Sequence, residues 1–429
     1  MKPFLFALLT LFGSTLAHAG IDIQQWTTPA GSRVLFLETR VLPILDIQVD
    51  FAAGSLYDPA GKPGVAALTR STLDLGAGDL DENAIADRLA DIGAGLGGGA
   101  DSDRASVSLR TLVAPERRNP AIGLLRQVLT APRFDQAIFE REQARTIAGL
   151  KDALTRPGTI AGRAFWAALY PDHPYGRQAT PESLATLQRA DLQAFYQRHY
   201  VARNAQITLV GAISRAEAEQ IANDLSAGLA AGEPAPLPPP PGLPKSGEQK
   251  LAHPASQAHI QIGLPAIERG HPDFFPLVVG NYSLGGGGFV SRLMKEVRDK
   301  RGYAYSVYST FSPMRQTGPF LIGLQTKRAQ ANEAMKLSRT LLEQFLKEGP
   351  SAEELAAAKA YLIGSFPLNL DSNRKLLGMI SVIGFYGLPR DYLDTYQQKI
   401  AAVTAADVKR AFAAQVKPEH LVTIMVAAD

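Results

Sequence analysis

An arginine and a tyrosine seven positions apart are the residues of this chain whose types and spacing most suggest chemistry. Arg298 falls in the last turn of a predicted helix, 291–300, and Tyr305 falls early in a predicted strand, 304–311. Both side chains are therefore expected to face one cleft. A guanidinium and a phenol are fixed hydrogen-bond donors that can hold a carbonyl and stabilise an oxyanion. Removing one such donor typically costs about 3 kcal/mol of transition-state stabilisation.

A purely structural role for the same pair is the alternative. Tyr303, Tyr305 and Val307 are predicted to share one strand face, and an aromatic stripe usually packs against neighbouring residues. Arg298 near a helix C-terminus is favoured by the helix dipole whether or not it binds a ligand. Both roles are compatible with the spacing.

Metal ligands, in contrast, are not arranged in any recognisable pattern. The chain has no cysteine, which rules out disulfides and thiolate ligands. Its seven histidines stand at positions 18, 173, 199, 253, 259, 271 and 420. No two of them have the roughly three- to five-residue spacing of a helical zinc site, so each is expected to be a surface or capped core residue.

Alternating and helical apolar patterns predict the elements that must position these residues. The predicted strands are 45–52, 105–112, 207–211, 259–264, 304–311, 319–326 and 423–427. The predicted helices are 65–75, 82–92, 120–130, 138–154, 274–284, 291–300, 329–348 and 352–366. This order predicts an α+β fold in which helices pack on one face of antiparallel or mixed sheets.

The two halves of the chain resemble each other on either side of a proline-rich segment. Residues 184–195 and 400–412 share one apolar pattern, and a predicted strand follows each. A repeat of about 210 residues indicates a duplicated domain rather than a solenoid. Seven prolines within 234–244 predict an extended polyproline II connection on the order of 30 Å long. The predicted organisation is a leader (1–19), a first domain (20–228), a linker (229–247) and a second, homologous domain (248–429).

The leader has the pattern of a secretory signal peptide. Lys2 precedes an apolar run over 4–12, and Ala17 and Ala19 form a small-residue cleavage site. The run is too short for a permanent membrane anchor. A periplasmic location is therefore predicted. Cleavage would leave a net charge of +3 − 1 = +2, which is too close to neutral to suggest nucleic-acid binding.

Longer matches around the arginine and the tyrosine indicate a family. Residues 291–293, 297–298 and 302–307 read SRL, VR and GYAYSV, and four glycines, 285–288, precede them. This run resembles the arginine/tyrosine motif of the M16 (pitrilysin-type) metallopeptidases, in which the tyrosine also follows the arginine by seven residues. The resemblance covers roughly residues 25–428. It implies a duplicated M16-type architecture in which Arg298 and Tyr305 contact the substrate backbone.

The zinc motif of that family is replaced in this chain. Active members carry H-x-x-E-H in a helix and a third ligand, a glutamate, further along the chain. The predicted helix 65–75 of this chain resembles that zinc-binding helix in its flanking glycines, Gly64 and Gly76. The ligand positions, however, hold Ala67, Ser71 and Ala148. Arg70 stands in place of the catalytic glutamate. The resemblance therefore implies that this chain has no metal ligands and no cofactor of its own.

A chain with the substrate contacts and without the metal is interpreted as one subunit of an enzyme. The resemblance implies a heterodimer with an H-x-x-E-H partner that carries the zinc, and an unfolded or short peptide as the substrate. The alternative is an inactive homodimer that binds peptides or serves as a scaffold. In active relatives an edge strand can pair with the substrate, and the glycine-rich segment 93–99 would correspond to it, although a flexible connector fits its composition equally well.

Overall fold

The computed structural model describes residues 20–427. The predicted signal peptide, residues 1–19, lies outside the described residues. Between residues 20 and 427, every helix is too short or too polar to span a bilayer.

The first half of the chain alternates short strands with amphipathic helices. Its strands are β1 (Gln24–Thr27), β2 (Arg33–Glu38), β3 (Ile44–Phe51), β4 (Gly76–Ala77), β5 (Leu80–Asp81), β6 (Gly95–Ala100), β7 (Ala105–Leu112) and β8 (Ala205–Gly211). Its helices are α1 (Val65–Thr72), α2 (Glu82–Ile92), α3 (Pro115–Thr130), α4 (Gln136–Ala153), α5 (Pro157–Leu169), α6 (Pro181–Ala185), α7 (Arg189–His199) and α8 (Arg215–Ala227).

The second half repeats this order. Its strands are β9 (Gly247–Leu251), β10 (Gln257–Ile267), β11 (Ala304–Phe311), β12 (Gly318–Lys327) and β13 (Val422–Val426). Its helices are α9 (Phe274–Asn281), α10 (Ala331–Glu348), α11 (Ala352–Ser365), α12 (Asn373–Tyr386), α13 (Tyr392–Ala402) and α14 (Ala405–Gln415). All the predicted strands and helices are present, most of them with shifted ends. The predicted helix 291–300 is wound more loosely, as a π-helix over Met294–Lys300.

Several helices begin where a hydroxyl and a carboxylate satisfy the first backbone N–H groups. Ser214, Ser351 and Thr404 each accept a hydrogen bond from the N–H group three residues later, and the residue at that later position bonds back. These capping boxes fix the starts of α8, α11 and α14. Local sequence thus determines where these helices begin.

Two mixed sheets form the framework of the molecule. The strand order is β1-β2-β8-β3-β7-β6 in the first sheet and β11-β12-β10-β13-β9 in the second. Most neighbours are antiparallel, but β2 pairs with β8, and β13 with β9, in parallel. Strands β6 and β11 are therefore edge strands. The repeated segments noticed in the sequence become α6–α7 before β8 and α13–α14 before β13.

Each sheet has helices of its own half on one face and one helix from the other half on the opposite face. Helix α12 covers the first sheet, and helix α5 covers the second. The apolar cluster under α12 contains Leu35, Leu37, Val210, Leu377, Ile380 and Ile383. The cluster under α5 contains Ala161, Phe165, Leu169, Val422, Ile424 and Val426. The predicted layering accounts for the first face of each sheet, whereas this exchange of helices was not predicted from the sequence.

Small residues allow α12 to approach the first sheet closely. A Cβ atom on Gly384 would lie 2.2 Å from Gln206 Nε2 and 2.6 Å from Leu35 Cδ1. One turn earlier, Ser381 Oγ donates to the buried Asp50 Oδ2 over 2.6 Å. The exchanged helix therefore contacts the sheet through both apolar packing and a buried hydrogen bond.

One buried carboxylate joins both exchanged helices to both sheets. Asp103, in the hairpin between β6 and β7, is 2% exposed. It accepts hydrogen bonds from Tyr175 Oη beyond α5, from Tyr386 Oη at the end of α12, and from the backbone N–H of Arg315 in the β11–β12 connection. Burial raises the pKa of Asp103, and the three donors oppose that shift.

The proline-rich segment runs between the halves without helix or strand over 231–246. It is attached to the protein at separate points. Gln316 Nε2 donates to the carbonyl of Pro238, and His420 Nδ1 lies 2.8 Å from the carbonyl of Pro244. The proposed domain limits at 228 and 247 stay predictions, because the exchange of α5 and α12 makes a linear division incomplete.

Substitution of two glycines in α12 should have opposite effects on stability. Gly384→Ala is expected to lower the free energy of unfolding by about 1–3 kcal/mol, because the new methyl group overlaps Gln206 and Leu35. Gly378→Ala, in the same helix with open space around it, should raise it by up to about 1 kcal/mol. Denaturant titrations of the two variants provide the comparison. Equal effects would contradict the close approach of α12 to the first sheet.

Candidate functional site

Arg298 lies in the last turn of the π-helix Met294–Lys300, as the sequence predicts. The helix ends because Gly302 adopts a left-handed φ of 64° and its N–H donates to the carbonyl of Arg298 over 2.8 Å. A left-handed residue after a helix is typically glycine, which has no Cβ penalty there. This turn brings the chain back into β11, so the start of β11 lies beside the guanidinium.

Tyr305 projects into solvent because β11 contains a bulge at this residue. Ala304 pairs with Thr326 and Ser306 with Gln325, which leaves Tyr305 as the extra residue. Its side chain is 85% exposed, whereas Val307 is buried. The prediction that Tyr305 and Val307 share one strand face is therefore wrong, because the bulge shifts the alternation by one residue.

The Arg298 guanidinium lies between two exposed aromatic rings. Its carbon is 4.7 Å from the ring centroid of Phe289 and 5.5 Å from that of Tyr305. The Oδ1 atom of Asp299 lies 3.1 Å from Arg298 Nη1. Cation–π contacts at exposed sites are worth about 0.5–1 kcal/mol, so the two rings restrain the guanidinium without covering its donors.

The glycine-rich turn holds this cluster against β11. A Cβ on Gly285 would lie 2.5 Å from Ser309 N, so only glycine lets the turn approach the strand this closely. Asn281 Nδ2 donates to the carbonyl of Ser309, and Ser309 Oγ donates to Asn281 Oδ1. The result is an open pocket of about 410 Å³ lined by Gly285, Gly286, Gly288, Phe289, Met294, Arg298, Tyr305, Ser306, Val307, Tyr308 and Ser309.

Phe289 is the member of this pocket that the sequence reasoning missed. It is 66% exposed, and the neighbouring Val290 is 51% exposed. Two large apolar residues directly after a run of four glycines cannot both belong to a regular buried face. That signal was available in the sequence and favours a surface for binding.

The helix predicted to be the degenerate zinc helix is α1, and a buried carboxylate caps it. Asp58 accepts hydrogen bonds from the N–H groups of Gly64 and Ala66 at 2.7 and 2.9 Å. Burial raises the pKa of Asp58 to about 6, although these two donors and Arg177 act in the opposite direction.

Ala67 and Ser71 lie on the exposed face of this helix, and Arg70 is buried. Ala67 has only a methyl group, and the Ser71 hydroxyl donates to the carbonyl of Leu68 in its own helix. Ala148 is an exposed residue of α4. A methyl group, a hydroxyl and a guanidinium do not form the imidazole and carboxylate set that zinc requires. Among residues 20–427, no group of three or more acidic or histidine side chains is placed to hold a metal ion.

Arg70 instead binds the edge of the first sheet. Its Nη2 donates to the carbonyl of Gly97 over 2.6 Å and its Nε to the carbonyl of Ser106 over 2.5 Å. Nη1 lies 3.3 Å from Asp74 Oδ1. A charged donor that bridges two strands in a buried position contributes more than a neutral hydrogen bond. Arg70 thus has a structural function.

The glycine-rich segment 93–99 is not a flexible connector. Gly93 ends α2 in a left-handed conformation, and the following residues form β6, the outer strand of the first sheet. At Gly98, where φ is 125°, a Cβ would lie 2.1 Å from the carbonyl oxygen of Ser106 and 2.7 Å from Arg70 Nη2. Glycine is required here so that Arg70 can reach the strand.

The structure brings the predicted site residues together in two separate groups. Arg298 and Tyr305 meet beside β11, and Ala67, Arg70 and Ser71 lie on α1 beside β6. Within the described part of the chain, no hydrogen bond, ion pair or ring contact connects the two groups. Each group therefore lies at an edge of its own sheet.

Replacing Arg70 should loosen β6 in particular. Arg70→Met keeps the apolar stem and leaves the carbonyls of Gly97 and Ser106 without their charged donor, so a loss of about 2–4 kcal/mol of unfolding free energy is expected. Hydrogen exchange should accelerate at 95–100 more than elsewhere in the first sheet. The control is Arg88→Met in α2. No ion pair of Arg88 is found in the described part of the chain. Unchanged exchange in β6 would show that Arg70 does not hold the strand.

Comparison with known proteins agrees with this description. The family model described as "Insulinase (Peptidase family M16)" matches residues 33–180, and the model described as "Peptidase M16 inactive domain" matches residues 186–362. A crystal structure of a peptidase M16 inactive domain from Pseudomonas fluorescens is 37% identical, with a TM-score of 0.91 over 94% of this chain and 98% of that chain.

Some relatives by sequence are named as proteases and others as non-peptidase homologs. The non-peptidase homolog YmxG of Helicobacter pylori is 26% identical over 95% of this chain and 94% of its own length. The uncharacterized zinc protease YmxG of Bacillus subtilis is 25% identical over 82% of this chain and 85% of its own length. The predicted fold class is confirmed by the Pseudomonas structure. The chain therefore belongs to the M16 peptidase family and has a fold of its non-catalytic type.

Proposed function

We propose that this protein is the non-catalytic subunit of a heterodimeric M16 zinc metallopeptidase. It would supply Arg298 and Tyr305 to a site completed by a second M16 chain that carries H-x-x-E-H and the zinc. The observation that carries the proposal is the exposed pair itself. Both side chains lie in an open pocket, while the helix that would hold the metal contains Ala67, Arg70 and Ser71.

The exposure of the pair supports binding over packing. An aromatic side chain that is 85% exposed contributes little to the core, and a bulge is needed to turn it outward. Bulges are over-represented beside active sites, where they redirect a side chain. The restraint of Arg298 by Phe289 supports the same reading, because a donor that is already oriented loses less entropy when it binds.

The contribution of this chain would be to hold the peptide. The Arg298 guanidinium and the Tyr305 hydroxyl would donate hydrogen bonds to a carbonyl oxygen of the substrate and stabilise the negative charge that develops there. The partner would supply the metal and the base. Phe289 and Val290 would give the adjoining side chain of the peptide an apolar surface.

The remaining features belong to the same proposal. The chain would be exported to the periplasm by residues 1–19 and would work as two homologous domains, 20–228 and 248–429, joined by 229–247. Its substrate would be an unfolded or short peptide. The chain would have no role in nucleic-acid binding. The rival hypothesis, an inactive homodimer that binds peptides, predicts a different partner.

Capture from the native periplasm distinguishes these two assemblies. A tagged copy of this chain is expected to recover a relative with H-x-x-E-H in a near one-to-one ratio, as identified by mass spectrometry. Recovery of only a second copy of this chain would favour the homodimer and would remove the enzymatic role of Arg298 and Tyr305.

Substitutions at the pair should reduce turnover by the assembled enzyme. Arg298→Ala is expected to lower kcat about 100-fold, and Tyr305→Phe by a factor of about 10 or more, because each removes a donor to the developing charge. The matched control is Arg301→Ala, an exposed arginine of the same helix end that pairs with Glu296. Steady-state kinetics on a fluorogenic peptide provide the measurement. Unchanged kcat in both variants, with the dimer intact, would contradict the proposal.

The isolated chain should bind almost no zinc. Less than about 0.1 equivalent is expected after dialysis against zinc and then buffer, because no described group supplies the required ligands. The reconstituted pair should hold about one equivalent. Inductively coupled plasma mass spectrometry of both samples gives the ratio. Near-stoichiometric zinc in the isolated chain would refute the assignment of the metal to the partner.

A further inference from the structure

A second cavity, separate from the Arg298 pocket, lies in the second half of the chain. It has a volume of about 430 Å³ and lies between the start of α9 and the helices α13 and α14. None of its lining residues lines the Arg298 pocket. Small-molecule sites typically have volumes of roughly 300–1,000 Å³. The volume of this cavity therefore suits a small organic molecule.

The walls of this cavity are mainly apolar and aromatic. They are formed chiefly by Phe274, Phe275, Leu388, Tyr392 and Val403. Phe275 contacts Tyr392, with ring centroids 6.0 Å apart. Rings held against each other give a fixed surface that can bind an apolar group without reorganisation.

Two cations border the same cavity without a carboxylate partner. The Arg269 guanidinium lies 5.3 Å from the ring of Tyr386, and its Nε is buried without a hydrogen-bond partner. Lys399 Nζ lies 5.5 Å from the ring of Phe275. Across residues 20–427, neither of these two side chains forms an ion pair. Buried or half-buried charges are normally paired, so each of these two cations has spare capacity for an anion.

Among residues 20–427, the acidic groups near the cavity form no ion pair with these two cations. Asp407 lines the cavity, but its carboxylate accepts from the backbone N–H and the hydroxyl of Thr404. Asp273, next to the lining, is paired with Arg410. His271 Nδ1 accepts from the N–H of Asp273, which leaves Nε2 as the donor in the neutral ring. The lining thus combines two cations and an imidazole donor with one carboxylate, so positive charge is in excess for a ligand.

We propose that this cavity binds a small amphiphilic carboxylate, with its apolar body against the aromatic walls and its carboxylate on Arg269 and Lys399. The proposal is independent of the peptidase assembly, because it uses no residue of the Arg298 pocket. Two sources have this chemistry: a free organic acid with an aliphatic or aromatic body, and the C-terminal carboxylate of a peptide that ends in an apolar residue.

Calorimetric titration of the full-length mature chain tests the proposal with octanoate and octanol as probes. Octanoate is expected to bind with a Kd below about 1 mM, and octanol at least about tenfold more weakly, because only the acid reaches the cations. Lys399→Met should raise the Kd for octanoate about tenfold, and Arg269→Met should do the same. Ala402→Trp, at an exposed lining position, should abolish binding by filling the entrance.

Lys409→Met is the matched control, since Lys409 lies in α14 outside the cavity and its loss should leave the affinity unchanged. Thermal melts of each variant confirm that the chain is folded. A tripeptide ending in phenylalanine identifies the source: binding of the free acid but not of its amide indicates a peptide terminus, whereas binding of octanoate alone indicates a free acid. Failure of both carboxylates to bind below about 1 mM, equal binding of octanol, or an octanoate affinity insensitive to Lys399→Met would overturn the proposal.

Discussion

The carboxylate of Asp103 is the contact at which both sheets and both exchanged helices meet. It is buried in the hairpin between β6 and β7, and its three donors come from the segment after α5, from the end of α12 and from the connection between β11 and β12. A buried charge without donors would cost several kcal/mol, and these three donors offset part of that cost. Neither half of the chain supplies all three hydrogen-bond donors to Asp103 alone. This contact joins the hairpin after the edge strand β6 to the connection after the edge strand β11.

In the first half of the chain, Arg70 of α1 supports the edge of the sheet. A zinc site needs α1 to present ligands toward an open cleft, whereas Arg70 faces inward and binds the carbonyls of Gly97 and Ser106. A guanidinium at this position repels a cation and, at the same time, supplies donors to an edge strand that has few side chains of its own. The helix that would be catalytic in an active relative has become a support for β6.

Much of the fold could be predicted from the sequence, because alternation and helical spacing are local signals. The strands at 105–112 and 304–311 have the predicted limits, and most predicted helices are shifted by only a few residues. The two exchanged helices were missing from the prediction. Helix α5 contains Gly158 and Gly162, and α12 contains Gly378 and Gly384. Glycine is a weak helix former, and both helices pack on the sheet of the other half. Similarly, the spacing of Arg298 and Tyr305 indicated the pair, but the bulge that exposes Tyr305 depends on pairing with β12 and has no local signature.

The irregular edges of the two sheets also bear on how the protein behaves at high concentration. An outer strand with free backbone groups is a template for another chain, and regular flat edges promote association into fibrils. In β11 the bulge at Tyr305 interrupts the ladder, and in β6 the backbone turns to a positive φ at Gly98. Neither edge offers a second copy a long uninterrupted row of donors and acceptors. The same distortions that expose Tyr305 and admit Arg70 therefore make β6 and β11 poorer templates for edge-to-edge association.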